Sequence, residues 1–462
     1  MNEALFQLAD QIWSFAETGF LETKTCDVMC EYLEKEGFTV TKGIADIATA
    51  YKGVWGQGKP VITFLGEYDA LFGMSQKANV TEYSPRTSNE DPGHGCGHHL
   101  LGVGSIAAAV EYRNYLRDNH LEGTVEILGC PAEESGSGKA YLARDGYLAN
   151  TDIALSWHPG QFNQVSTGSS QSCVSVNFRF HGVSSHAAGS PHLGRSALDA
   201  CELMNVGVNY LREHMESTER VHYAYLNVGG KAPNVVQSEA ELKYFIRSTT
   251  NTKAVKLYER VINIAKGAAL MTDTKLDILF DEGLSNTVPN FVLEDVLSEA
   301  FKKVPAPLYT EDELAYAQSF KDTYPQENIG VPHRAKDQSA MKEVIKNSPL
   351  HMGFMESNHS DECGMGSTDV GDISWVVPTG QINTACYAIG AGAHSWQWVA
   401  QGTSSIAHKG LYYAAQILAQ AAIELHSHPE LIEKAKAEHK SRLGDDVYEC
   451  LIPKEVKPHI VD

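Results

Sequence analysis

Five short segments of the sequence carry cysteine, histidine or carboxylate side chains, the residue types that bind divalent metal ions. They are GEYD at 66–69, GHGCGHH at 93–99, PAEE at 131–134, His158, and GAGAH at 390–394. Thiolate, imidazole and carboxylate donors together suit a borderline ion such as Zn²⁺, and also Mn²⁺ or Co²⁺. One glycine separates Cys96 from His98, so a tight loop can direct both side chains to one point.

The candidate ligands are more numerous than one tetrahedral ion needs. They are Cys96, His98, Glu134, His158 and His394. A set of this size predicts two ions, roughly 3.5–4 Å apart, that share a bridging group. Cys96 is a candidate for that bridge, because bound cations deprotonate a coordinating thiol.

Each of these residues also has a purely structural interpretation. A Glu-Glu pair such as Glu133-Glu134 is usually a solvated surface, a lone His158 is more often a core histidine, and Glu67 and Asp69 could cap a turn. The glycines at 93–97 could form only a turn. A single structural zinc ion on Cys96 and His98 is a further alternative, but such sites usually show paired C-x-x-C spacings, and this sequence has none.

The chain around these segments alternates between helix and strand patterns. Strands are predicted at 47–54, 60–66, 123–130, 151–157 and 382–389, and helices at 2–16, 22–36, 99–117, 137–144, 290–303, 311–322, 336–346 and 403–425. Alternation with apolar strands predicts an α/β fold, a mostly parallel sheet sandwiched by helices. In such sheets, sites lie just beyond the carboxyl ends of the strands. Four of the five segments follow a predicted strand, and the fifth precedes the helix at 99–117.

A second pattern occupies residues 169–284. Strands predicted at 171–181, 221–228, 238–248 and 275–281 alternate with helices at 195–215 and 252–269. This β-α-β-β-α-β order is that of the ferredoxin-like α+β unit. The simplest interpretation is a catalytic domain formed by 1–168 and 285–462, with the second domain inserted at 169–284. The charged tail after 429 is expected to lie on the surface.

The composition excludes several classes of protein. Lys and Arg total 37 and Asp and Glu total 58, a net charge of −21, which disfavours binding to nucleic acid or to an anionic membrane surface. The N-terminus lacks the pattern of a signal peptide, and the apolar stretch Leu100 to Val110 is too short to span a bilayer. Nine scattered cysteines argue against a disulfide scaffold and favour a cytoplasmic protein.

The ordered set of motifs resembles a known family. GEYDAL, GHGCGHH, GCPAEESGSGK, GSTDVGDISW and GAGAHSWQ are together similar to the co-catalytic metallopeptidases that include carboxypeptidase G and aminoacylase. The loop at 93–99 resembles the HxCGHD loop of the amidohydrolase branch, and within it the chain is most similar to the two-subunit aroyl-glutamate hydrolases. The resemblance covers the chain to about residue 425. Two positions depart from the family: His99 replaces the loop Asp, and Glu67-Tyr68-Asp69 stands where the carboxypeptidase G branch has His-x-Asp.

The resemblance implies roles for individual residues. The metal ligands fall on Cys96, His98, Glu134, His158 and His394, with Asp69 behind them and Glu67 as a further candidate ligand. The general base falls on Glu133. In the inserted domain, the motif FHGVSSHA implies His186, which would reach into a partner subunit's site. Asn234 and Arg247 match the family's substrate-binding Asn and Arg.

The activity implied is metal-dependent hydrolysis of the amide bond in N-acyl or aroyl amino acids such as p-aminobenzoyl-glutamate. Two divalent ions, Mn²⁺ or Zn²⁺, would be the cofactors. The partner would be a like or related subunit that binds through 169–284. Two alternatives stay open, a broader aminoacylase or dipeptidase and a metal-binding subunit that is not itself catalytic.

Overall fold

The larger of two β-sheets has seven strands. The computed structural model describes residues 3–325, 329–390 and 392–460. The strands are β1 (Thr39–Lys42), β2 (Tyr51–Gln57), β3 (Val61–Glu67), β4 (Gly123–Cys130), β5 (Ile153–Gly160), β6 (Gln164–Val165) and β11 (Thr379–Ala385). Their order is β1-β2-β4-β3-β5-β11-β6. The central four are parallel to one another, whereas β1, β2 and β6 pair antiparallel at the edges.

The smaller sheet has four antiparallel strands, in the order β10-β7-β9-β8. They are β7 (Ser172–His181), β8 (Arg220–Asn227), β9 (Glu239–Ser248) and β10 (Lys275–Leu284), and the helices between them are α5 (Ala197–Leu211) and α6 (Asn251–Thr272). Both helices pack on this sheet around a core of its own. The predicted ferredoxin-like arrangement is therefore confirmed.

Helices cover the larger sheet. They are α1 (Glu3–Phe15), α2 (Thr23–Lys35), α3 (His98–Asp118), α4 (Gly138–Arg144), α7 (Phe291–Lys303), α8 (Glu311–Lys321), α9 (Gln338–Asn347), α10 (Val370–Val376), α11 (Trp396–Gln401), α12 (Ser405–Ser427) and α13 (Pro429–Leu443). The first turns of α3 are buried on every side because α3 lies between β3 and α12, and Leu100, Val103 and Ile106 are fully buried. The predicted α/β fold is confirmed.

Several elements differ from the sequence prediction. β11 begins and ends three to four residues before the predicted strand at 382–389, and β1, β6, α10, α11 and α13 were not predicted. β1 and β6 have four and two residues, too few for alternation to be visible. The tail does not lie wholly on the surface, because Ile432, Ala435 and Ile452 are buried. Among the described residues, no helix combines the length and apolar character that a membrane crossing needs.

Candidate metal centre

The parallel strands bring the ligand-type residues to one edge of the larger sheet. β3 ends at Glu67, which pairs in register with Cys130, the last residue of β4. β5 and β3 pair Leu155 with Phe64, three residues before His158 and Glu67. The segment PAEE therefore leaves the sheet next to Glu67, and His158 lies within the neighbouring strand.

The loop before α3 depends on Gly97. Its φ of +81° is in the left-handed region, and a Cβ at this position would lie 2.3 Å from the Tyr387 hydroxyl. Only glycine fits both requirements. The turn that Gly97 makes places Cys96 beside β5, with its Sγ 3.3 Å from the His158 Nε2, and starts α3 at His98.

Three clusters of ligand atoms occur at this edge, and within each cluster the atoms lie within 4.8 Å of one another. They are Cys96, His98 and His158; Cys96, Glu134 and His394; and Glu67, His98 and Glu133. The first two contain all five ligands predicted from the sequence. Cys96 belongs to both, which is the geometry that a thiolate shared by two ions needs.

Hydrogen bonds fix which atoms of the histidines face the clusters. His98 Nδ1 donates to Asp69 Oδ1 at 2.8 Å, so its Nε2 is left for a metal. His158 Nδ1 donates to the Pro159 carbonyl at 2.7 Å, which directs its Nε2 to Cys96. The other carboxylate oxygen of Asp69 accepts from the Glu134 amide at 2.9 Å. Asp69 thus orients two candidate ligands, as the partners of metal ligands commonly do.

Two buried polar atoms of this site lack hydrogen-bond partners, His98 Nε2 and Glu134 Oε1. They lie 3.8 Å apart, and Glu134 Oε1 is 3.3 Å from the His394 Nε2. Buried groups without a partner cost about 1–3 kcal/mol each. A divalent cation bound by these atoms would remove that cost, so the residues fit a metal ion.

The electrostatics also favour bound cations. Burial, followed by the charges of Glu67 and Glu134, raises the pKa of the Glu133 carboxyl well above its ordinary value. Burial also raises the pKa of the Cys96 thiol. Burial opposes ionisation of Glu134 too, but the neighbouring imidazole of His394 and the charge of His98 lower its pKa overall. Cations reverse such upward shifts and would ionise the thiol.

A buried ion network behind the site was missed by the sequence interpretation. The ammonium group of Lys139, at the start of α4, is fully buried between Glu67 and Asp369. Lys139 Nζ lies 2.7 Å from Glu67 Oε1, which leaves the other oxygen of Glu67 3.3 Å from His98 Nε2. Both Lys139 and Asp369 belong to the motifs that carried the resemblance. The burial of Lys139 and Asp369 could not be predicted from the sequence, because it depends on packing between distant segments.

Replacing Lys139 with methionine is expected to lower the free energy of unfolding by about 3–5 kcal/mol, the cost of leaving buried charges unpaired. The pairs with Glu67 and Asp369 would both be lost. The measurement is urea denaturation in the presence of a chelator, so that metal binding does not contribute.

A matched control for this variant is Lys302→Met. Lys302 pairs with Glu299 on the surface, where its side chain is 46% exposed, and such pairs contribute about 0–1 kcal/mol. Equal losses in the two variants would show that the buried network contributes nothing special to stability.

The residues predicted in the inserted segment lie outside the three clusters. His186 is exposed, and its Nδ1 accepts from the Gly189 amide at 2.9 Å, which leaves Nε2 as its free donor. The Ala187 amide donates to the Asn234 carbonyl, so the loops that contain His186 and Asn234 are hydrogen-bonded to each other. Arg247 donates to Ser367 Oγ at 3.1 Å, two residues before Asp369.

His99, which replaces the family's Asp, does not belong to the clusters either. It is fully buried, and its Nε2 donates to the Gly402 carbonyl at 2.9 Å. Its ring packs on that of His94 at 4.8 Å. His99 therefore anchors α3 to the segment after α11, and it is Asp69 that hydrogen-bonds His98.

Comparison with known proteins identifies the family. A model of peptidase family M20/M25/M40 matches residues 63–424. The chain is 40% identical over 457 residues to one of the subunits of the p-aminobenzoyl-glutamate hydrolase of Escherichia coli (strain K12), with 98% of this chain and 95% of that protein covered. It is 27% identical over 459 residues to the Xaa-Arg dipeptidase of Mus musculus, with 96% and 90% covered.

A solved structure shares the fold. A Bacillus subtilis protein, described as a dinuclear metal binding peptidase from the M20 family, superposes with a TM-score of 0.56 and 15% sequence identity, over 92% of this chain and 99% of that chain. The chain belongs to peptidase family M20/M25/M40 and is a hydrolase that acts on amide bonds.

Proposed function

We propose that the protein is a two-metal amidohydrolase that cleaves N-acyl or aroyl amino acids, p-aminobenzoyl-glutamate among them. The observation that carries this proposal is the set of three adjoining clusters, two of which share Cys96 while the third contains Glu133. The similarity over nearly the whole chain to a p-aminobenzoyl-glutamate hydrolase supports the substrate class. Mn²⁺ and Zn²⁺ are the proposed ions.

In this proposal each side chain of the site has a distinct role. The ligands are Cys96, His98, Glu134, His158 and His394. Asp69 holds the His98 ring and the Glu134 backbone in place. Lys139 pairs with one carboxylate oxygen of Glu67. The other oxygen of Glu67 lies beside His98 Nε2 and is available to the same metal ion.

Glu133 would carry the proton through the reaction. When bound, two divalent ions supply Lewis acidity that favours ionisation of a water and polarisation of the amide carbonyl. Glu133 accepts a proton from the attacking water as its oxygen bonds to the carbonyl carbon. Glu133 then gives that proton to the amine nitrogen as the C–N bond breaks. The products are a carboxylic acid, which loses its remaining proton to solvent to become a carboxylate, and an amino acid with a free amine.

Arg247 and Asn234 are the proposed contacts for the amino acid part of the substrate. The planar guanidinium of Arg247 can bind a carboxylate through two parallel hydrogen bonds. Its contact with Ser367 places it beside the segment that contains Asp369, which is joined to the site through Lys139. A substrate of the form acyl–NH–CHR–COO⁻ fits this arrangement.

We further propose that residues 169–284 form a lid and dimerisation domain. Its surface carries exposed apolar side chains: on α5, Leu203, Val206 and Tyr210 lie on one face and are 37%, 49% and 73% exposed. On the edge strand β8, Leu226 is 52% exposed. Exposed apolar patches and strand edges are typical of association surfaces. The partner would be a second copy of this chain or a related subunit, and His186 would act in the partner's site.

Mixing two inactive variants tests the role of His186 across the dimer. A hybrid of one His186→Ala chain and one Glu133→Gln chain would hold one site with both residues intact, so about half of the wild-type activity per dimer is expected. The hybrid is isolated with two different affinity tags. Each variant alone serves as the control, and an inactive hybrid would contradict the proposed exchange of His186 between subunits.

The proposed function is tested by assaying the purified chain, loaded with Mn²⁺ or Zn²⁺, on a panel of acyl and aroyl amino acids. Cleavage of p-aminobenzoyl-glutamate is the expected result. Turnover of aliphatic N-acyl amino acids or dipeptides alone would favour the aminoacylase or dipeptidase alternative, which the likeness to Xaa-Arg dipeptidase keeps open. No turnover with two ions bound would favour a subunit that is not itself catalytic.

A further inference from the structure

The carboxylate of Glu22 is buried at the N-terminus of α2 but does not cap that helix. Glu22 is fully buried, and no side-chain hydrogen bond from it reaches the helix amides. Glu17 takes over the capping, because its carboxylate accepts from the Lys24 and Thr25 amides at 3.2 and 2.9 Å. The Glu22 carboxylate is thereby free to contact a different part of the molecule.

Glu22 holds the backbone next to the proposed general base. Its Oε1 accepts from the Ala132 amide at 2.9 Å, one residue before Glu133. Ala132 has a φ of +56°, a conformation that residues other than glycine adopt only where their surroundings enforce it. The bond to Glu22 is a contact that enforces it.

The other carboxylate oxygen of Glu22 links Ala132, through Thr49, to the residues that follow β3. It accepts from the Thr49 hydroxyl at 2.9 Å, and the Thr49 carbonyl accepts from the Tyr68 hydroxyl at 2.6 Å. Tyr68 lies between Glu67 and Asp69. Glu22 and Thr49 therefore join the segment that contains Glu133 to the segment that contains Asp69.

The chain before Glu22 packs directly on these two segments. The Ala70 amide donates to the Glu17 carbonyl at 2.8 Å. A Cβ on Gly19 would lie 2.5 Å from Ser135 Oγ and 3.0 Å from the Ala132 Cβ, so a side chain here would crowd the segment that contains Glu133. Residues 16–22 thus pack against the segments that carry Asp69 and Glu133, although none of them is a candidate ligand.

We propose that Glu22 is a positioning residue for Glu133. Glu22 acts by fixing the backbone of Ala132, the residue before Glu133. This inference rests on the proposed function. A displacement of about 1 Å in a reacting group can lower turnover by about 100-fold. Glu22 does not contact the three clusters themselves. Its loss should therefore change the orientation of the Glu133 carboxylate and leave metal binding intact.

The test compares three variants of the full-length, metal-loaded protein. Glu22→Met removes the acceptor at nearly the same volume, and we expect kcat to fall about 10–100-fold, with KM and metal content unchanged. Glu22→Gln keeps an oxygen for Ala132 and can donate to Thr49, so it should retain kcat within about threefold. Glu126→Met is the matched control, since Glu126 is also buried and bonded, to Thr63 and Lys52; it should destabilise the fold without lowering kcat.

Hydrogen exchange of the peptide covering 131–136 gives a readout that does not depend on activity. Exchange at this peptide should be faster in Glu22→Met and unchanged in Glu22→Gln and Glu126→Met. If Glu22→Met does not fold, Glu22→Asp, which is too short to hold both partners, should lose about tenfold in kcat. Normal kcat and normal exchange in the Met or Asp variant would overturn the proposal. If the wild type cleaves no substrate, the proposed function fails, whereas the exchange data still test the contact.

Discussion

Replacing Glu133 with glutamine is expected to lower kcat by about 10²–10⁴-fold, the usual contribution of a general acid–base group. Glu133 lies in one cluster with Glu67 and His98. Glutamine keeps the size of the side chain but cannot accept the proton of the attacking water. Since Glu133 is not among the proposed ligands, the variant should still bind two ions, measured as metal content after gel filtration.

Two results would contradict this assignment of Glu133. One is a kcat close to that of the wild type, which would mean that another group accepts the proton. The other is a loss of metal from the variant, which would make Glu133 a ligand and leave the base unassigned. Glu126→Gln, a buried carboxylate in the middle of β4, controls for the general effect of removing a buried charge.

Replacing Glu134 with glutamine should instead remove metal together with activity. Its Oε1 is buried without a hydrogen-bond partner and lies 3.3 Å from His394 Nε2 and 3.8 Å from His98 Nε2. Loss of a residue that merely supports a ligand already weakens metal binding by about 10–100-fold, so loss of a ligand should weaken it by more. Titration against a chelating indicator measures the change.

The two glutamates form an internal comparison, because the same substitution one residue apart should affect different quantities. Excess metal should restore part of the activity of the Glu134 variant and none of the activity of the Glu133 variant. If the Glu134 variant bound two ions as tightly as the wild type, the proposed ligand set would be wrong at that position.

The gathering of the five candidate ligands could be predicted from sequence because parallel strands end at a common edge. Glu134 follows β4 and His158 lies in β5, so the topology brings them to the same edge of the sheet, on either side of β3. The spacing Cys96-Gly97-His98 adds two more donors, because a left-handed glycine reverses the chain between them. In each case a local pattern determines the position.

The remaining parts of the site depend on contacts that no local pattern reveals. Lys139 and Asp369 are 230 residues apart in the chain, and a lysine in sequence is normally a surface residue. The sequence around Glu22 is likewise that of an ordinary helix terminus. It does not indicate that the Glu22 carboxylate accepts a hydrogen bond from the Ala132 amide. The role proposed for His186 lies in a partner's site, and the positions of groups across a subunit interface are not encoded in any local pattern of one chain.

The position of β11 between β5 and β6 has a consequence for biosynthesis. β11 pairs with both strands. It is nevertheless synthesised long after them, because the four strands of the smaller sheet lie between β6 and β11 in the sequence. Until then β5 has an open edge, and His394, which follows β11, is missing. If His394 is a ligand as proposed, the nascent chain lacks part of its ligand set until late in translation, and we expect metal binding and activity to follow the synthesis of β11.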